Sequence, residues 1–253
     1  MTYATHGPTL RSREMHMSVA HRVRNRITRG GEDRLWTYRD FIDLPGLAVA
    51  ATLSRLAKNG RIRRVRKGVY YVPHVTRFGT TSPDPSNVVA AVLTSRGIAW
   101  KPSGSAAYNR LGFTTQVSPT TTFAVSRRVR LASSGSRTRL KLRPAAAVRD
   151  ASADERAMLD ALRDLRWIPD TTPERVVARI GDLFRSRRVS FERVARFARR
   201  EPPRVRAVLG AIGNAIGARR KVLEQLKASL NPMTHFSMGL SDKLDNAREW
   251  NIR

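Results

Sequence analysis

The sequence predicts an α+β fold, mainly helical with small β elements, and three observations carry that prediction. Residues Thr52 to Pro73 run from an amphipathic segment into Gly60 and then into a short, arginine-loaded hairpin. Two runs of β-branched character, Thr120 to Ser126 and Thr138 to Arg143, occupy the middle of the chain. From Ser152 the apolar spacing becomes helical, punctuated by capping residues.

At 253 residues the chain has room for two modest cores, so two domains are expected. Apolar residues make up 41 %, enough for globular folding. Against 20 Asp and Glu stand 48 Lys and Arg, a formal charge of +28, which calls for an anionic partner. Only seven of the 48 are lysine. That skew is what GC-rich codons produce, but codon bias does not force a shortage of acids. There is no cysteine, which removes disulfides and thiolate chemistry and fits a reducing cytoplasm. No apolar run reaches the roughly 18 residues of a membrane span, and the N-terminus lacks the apolar core of a secretory signal.

Taken in order, residues 1–17 read as a loose tail, with Met15 and Met17 as alternative translation starts to Met1. Ser18 caps a first helix whose stripe is Val19, Val23 and Ile27, and Gly30-Gly31 ends it. Thr37 caps a short helix through Phe41, and Pro45-Gly46 turns the chain. A third helix, about Leu47 to Asn59, gathers Val49, Leu53, Leu56 and Ala57 on one side and Ala51, Ser54, Arg55 and Lys58 on the other. Ile62 and Val65 lead a strand, Arg66-Lys67-Gly68 turns, and Val69 to Val72 returns, with one of Tyr70 and Tyr71 expected in the core. Three helices and a hairpin over residues 18–79 make a winged helix-turn-helix, a module that docks on DNA.

Thr80 to Ser86 reads as a linker. The C-terminal domain, 87–253, opens with an α/β part over 87–150. Its short helices are Asn87–Ser95 and Ser105–Leu111, its strands the two β-branched runs, with Ser133 to Ser136 as the loop between them. The part over 151–253 is helical. Ser152 to Glu155 forms a capping box, Thr172-Pro173 opens a second helix, and Ser190 caps a third. Pro202-Pro203 precedes a fourth, and a last helix near Arg219 to Leu230 stops at Asn231-Pro232.

In the third helix, Ser54, Arg55 and Lys58 are positioned to read base edges, Arg55 through a bidentate pair with guanine. Ala48 and Ala51 are small enough for close approach. Arg61, Arg63, Arg64, Arg66 and Lys67 of the wing, with Tyr38 and Arg39 of the short helix, are expected on phosphates. A second basic surface is spaced at Arg193, Arg196 and Arg200, fit for nucleic acid, an acidic partner or plain solvent. Catalysis finds no footing: the five histidines lack metal-ligand spacing and no phosphate loop or nucleophile elbow occurs. The acids sit in caps or helical ion pairs such as Asp160 and Asp164. No catalytic residue, metal or cofactor is expected.

Three places resemble the AbiEi family of antitoxins from type IV toxin–antitoxin, abortive-infection operons. They are Leu53-Ser-Arg-Leu56 through Lys67-Gly-Val-Tyr-Tyr-Val72; Ser103 to Gly112 with Thr114 to Pro119; and Ser229 to Pro232 with Trp250-Asn-Ile-Arg253. The second carries the discrimination, because many winged helices share the first. The resemblance implies an autorepressor that binds inverted repeats in double-stranded operator DNA, as homodimer or cooperatively bound monomers. It also implies a protein that counteracts a nucleotidyltransferase-like toxin, without requiring a stable complex. Two rival readings stand beside it: a winged-helix regulator that senses a small ligand in its C-terminal domain, and a nuclease targeted by a winged helix.

Overall fold

In the computed structural model, which describes residues 17–32, 34–77, 79–131, 139–238, 240, 244 and 246–253, the chain is α+β. Ser18 caps α1 (Val19–Gly30), its Oγ accepting from the His21 N–H at 3.3 Å, and Val23 and Ile27 bury one stripe. A three-residue strand, β1 (Leu35–Thr37), leads into a single 3₁₀ turn, Tyr38–Phe41. Asp40 Oδ2 ties that turn to its start, accepting from the Thr37 N–H at 2.7 Å and the Thr37 hydroxyl at 2.9 Å. Helix α2 (Gly46–Lys58) follows, then β2 (Arg63–Arg66) and β3 (Val69–Tyr71). The sheet order β1-β3-β2, all antiparallel, is the topology of a winged helix.

Beyond the hairpin the structure departs from the expected linker. Residue 80 pairs in a small hairpin, β4 (Val75–Thr76) with β5 (Gly79–Thr80), and Thr81 is held by the His74 carbonyl at 3.0 Å. Asp84 then caps α3 (Pro85–Ser95), its carboxylate accepting from the Ser86 N–H at 2.7 Å. Helix α3 packs on β1 and β3, so it belongs with the winged helix; the chain divides between Gly97 and Ile98 and not at 80–87. With helices on both faces of the central strand, Tyr70 and Tyr71 are both buried, where one was expected.

The second unit, 98–253, opens with a three-stranded sheet of order β6-β7-β8: β6 (Trp100–Ser103), β7 (Thr120–Val125) and β8 (Arg139–Pro144). Strand β6 was not foreseen, because Pro102 argues against a strand; its place at the sheet edge removes the objection. β7 pairs antiparallel with β6 and parallel with β8. The expected loop at Ser133–Ser136 and the strand start at Thr138 lie outside the described residues, as does the tail 1–16. Helix α4 (Ser105–Leu111) follows β6, and the helical set is α5 (Ala153–Arg163), α6 (Pro173–Arg185), α7 (Phe191–Ala198), α8 (Pro203–Ala215) and α9 (Arg220–Ala228).

Every residue of α5 from Glu155 to Leu162 is buried, so its charged members need partners inside. Arg156, wholly buried, donates to Asp160 at 2.9 Å, to Glu201 at 2.7 Å and to the Ala146 carbonyl at 3.1 Å. The Ser103 hydroxyl donates to Asp160 at 2.7 Å, and Arg163 Nε to Glu201 at 3.1 Å. Asp164, one turn on, accepts from Tyr108 and from Arg143, both at 2.7 Å. Burial, and then the Asp164 and Asp160 charges, push the Tyr108 hydroxyl far above its ordinary value. Asp160 thus forms the expected helical ion pair, with Arg156 four residues before it, but inside the core, whereas Asp164 is half-buried and pairs with Arg143 of β8.

The two terminal segments singled out in the sequence meet in space. Trp250 lies in a notch of α8 where a Cβ on Gly210 would fall 2.1 Å from its ring. Asn251 donates to the Pro232 carbonyl at 3.3 Å, and its own carbonyl accepts from the Phe236 N–H at 2.8 Å.

Candidate nucleic-acid interface

Helix α2 is fixed from beneath. Val49, Thr52 and Leu53 are buried against α1 and the sheet, and the Thr52 hydroxyl returns to the Ala48 carbonyl at 2.7 Å. With the inner stripe so held, Leu47, Ala51, Ser54, Arg55 and Lys58 are all exposed, and they share an arc of about 100°. The three expected base readers are thus brought together on one face. Arg55 leans back along the helix, its Nε 3.4 Å from the Ala51 carbonyl. Leu47, in the first turn, is 91 % exposed, and Ile42, in the turn entering the helix, 86 %. Sequence reasoning passed over both, since apolar residues are counted first as core.

The turn before α2 is clamped to α1. Asp43 accepts from Arg26 at 2.7 and 2.9 Å and from Arg22 at 3.2 Å. The Arg26 hydrogen bond holds the Asp43 carboxyl down at about 2. A carboxyl with a depressed pKa contributes stability that is complete above its ordinary 3.8 and lost as pH falls through about 2. The pair is exposed, so Asp43→Asn is expected to cost only about 0.2–1 kcal/mol. The variant should also lose part of the wild type's extra acid sensitivity between pH 4 and 2, read from thermal unfolding.

In the wing, Arg63, Arg64 and Lys67 are exposed and Arg66 is half-buried. Arg64 Nε reaches the Arg66 carbonyl at 3.4 Å across a bulge in the β2–β3 register. Arg61, just before the strand, is also exposed. Between Leu44 and Pro83 the sequence has eight basic residues (Arg55, Lys58, Arg61, Arg63, Arg64, Arg66, Lys67 and Arg77) and no carboxylate. Among the described residues no acid pairs with Arg55, Lys58, Arg61, Arg63, Arg64 or Lys67. By contrast, Arg22, Arg26 and Arg34 of the same unit are matched to Asp43 and Asp40. Neutralisation is spent on the scaffold, and the helix-and-wing face keeps its charge.

Two exposed residues expected on phosphate also make contacts within the unit. The Tyr38 ring packs over the wing turn, where a Cβ on Gly68 would meet it at 3.2 Å, and φ of +78° there suits glycine. The Tyr70 hydroxyl, raised above its usual value first by burial and then by its hydrogen bond to Tyr38, completes that prop. Arg39 points to the end of α3, its Nη2 2.9 Å from where a Gly97 Cβ would stand. There it complements the negative end of the helix dipole.

The second basic surface comes apart. Arg193 is bound to Glu155, whose pKa falls because this hydrogen bond and the Ser152 backbone outweigh the upward push of burial. Arg193 and Arg196 both lie over the Phe197 ring, at 5.7 and 5.2 Å. Helix α7 ends at Ala198, so Arg200 does not continue their face. The chain turns there ahead of Pro202-Pro203, and Glu201 joins the buried network with Arg156.

Among the described residues no three His, Asp or Glu side chains gather as a metal site, and no helix is long and apolar enough to cross a membrane. No curated protein matches the chain. A similar solved structure is the crystal structure of the RV2827C protein from Mycobacterium tuberculosis, at 16 % identity and a TM-score of 0.47, covering 91 % of this chain and 85 % of that one. The model of DUF6088, a family of unknown function, matches residues 14–157, more than half of the chain and all of the described winged helix, and the chain belongs to that family.

Proposed function

We propose that the chain is a cytoplasmic DNA-binding autorepressor that serves as the antitoxin of a type IV system. The observation that carries the DNA-binding half is the exposed stripe of α2 beside a cationic, carboxylate-free wing. In this reading Ser54, Arg55 and Lys58 face base edges in the major groove. Arg61, Arg63, Arg64, Arg66 and Lys67 lie along phosphates. Two copies, as a dimer or as cooperatively bound monomers, cover an inverted repeat in double-stranded DNA. Its chemistry is binding alone, with no catalysis and no cofactor.

Arg55→Ala is expected to relax preference at one base pair by about 1–3 kcal/mol in gel-shift titrations on variant sites. Unchanged affinity and preference would place the reading helix in another register.

The antitoxin half rests on the likeness of Ser103–Pro119 and the terminal segments to AbiEi proteins. Its test is genetic: a nucleotidyltransferase-type gene immediately downstream, whose growth arrest co-expression of this chain relieves, with or without a stable complex. An unrelated metabolic operon there would favour the ligand-responsive regulator. That second reading expected a pocket in the C-terminal domain; the cleft that favours it lies instead in the first unit, about 430 Å³ where Ile27, Leu56, Ile62 and Val72 are flanked by Arg24 and Arg61. A metabolite that raises the melting temperature and releases the DNA would establish it.

A further inference from the structure

Leu47 heads the reading stripe with 91 % of its surface exposed, one turn before Ala51 and in line with Ser54 and Lys58. A single exposed leucine is ordinary; what sets this one apart is its place at the head of the stripe proposed to read DNA. The surrounding charge narrows the choice of partner. A second copy of this face would bring the Arg55, Lys58 and wing cations against their own kind. The occupant must be a polyanion that also offers something apolar. In the major groove that feature is the 5-methyl group of thymine, which aliphatic side chains touch and which no other standard base carries. The first turn of a recognition helix is also where base edges are met.

We propose that Leu47, with the small Ala51 beside it, selects thymine through its 5-methyl group, giving the site an apolar element next to the polar readout by Arg55. This rests on the DNA-reading role proposed above.

The test uses the full chain and duplexes selected from a random pool, each thymine then replaced singly by deoxyuridine, which removes only the methyl. For the wild type, affinity is expected to fall about fourfold at one or two positions. Leu47→Ala should bind the thymine duplex about as weakly as the wild type binds the uridine one, and should ignore the replacement, with its salt dependence unchanged. Arg55→Ala should still respond to it. Because Leu47 is on the surface, the variant should keep the wild-type melting temperature.

If the wild type selects a sequence but ignores every deoxyuridine, or selects a site without thymine, the Leu47 assignment is overturned while DNA reading stands. If Leu47→Ala shifts the sedimentation of DNA-free protein and the wild type ignores deoxyuridine, Leu47 belongs to a protein contact instead. Failure to bind any duplex would overturn both this inference and the DNA-binding function.

Discussion

Replacing Arg63, Arg64 and Lys67 together with alanine is expected to weaken binding to duplex DNA of every sequence, by about a hundredfold or more near 0.1 M salt. Each residue is exposed, and among the described residues each lacks a carboxylate partner, so its charge is available to a phosphate. Each phosphate contact releases counterions, so the slope of log K against log salt should become shallower by about 2–3. Base preference should survive, since the proposed readers sit on α2 and the wing is anchored by buried Val69, Tyr70 and Tyr71. Fluorescence anisotropy over a salt series measures both quantities. A loss confined to one sequence, with the slope intact, would show the wing reading bases rather than gripping backbone.

Arg156→Met should be the most damaging single change to stability in the second unit. Methionine matches much of the volume but leaves Asp160 and Glu201, both wholly buried, without the guanidinium that joins them. Removing one partner of such a network costs about 3–5 kcal/mol, much of a domain's margin. Glu201 keeps Arg163, and Asp160 keeps, among the described residues, only the Ser103 hydroxyl. Adding Asp160→Leu should therefore recover part of the loss, an outcome that independent sites would not give. Denaturant unfolding of the single and double variants is the measurement, and full additivity would refute the coupling.

Where the physics is local, the sequence was a good guide. Ser18, Ser152, Thr172 and Ser190 each cap the helix expected of them, and the α2 stripe divides buried from exposed as its periodicity requires. What escaped depends on non-local pairing. β1 is three residues long and exists because β3 lies beside it; β6 tolerates Pro102 because only one of its edges is paired. Helix α3 was legible as a helix but not as a lid over the winged-helix sheet, a fact set by which face of β3 lacked cover. In the site, the spacing placed Ser54, Arg55 and Lys58 together. It said nothing of where long side chains such as Tyr38 and Arg39 turn, and an apolar Leu47 gave no cue that it faces outward.

The placing of Trp250 and Ile252 has a consequence for the order of synthesis. They fill the core of the second unit, about 40 positions after the Gly210 notch that receives Trp250. That unit cannot close until residue 252 has left the ribosome. The winged helix draws its main core from residues 19–72 and its cover from α3, and can fold while the rest is still being made. A ribosome that stalls or frameshifts in the second half would thus release the winged-helix unit without its companion. Under the proposed function, such a fragment would occupy operators while contributing nothing to whatever the second unit does.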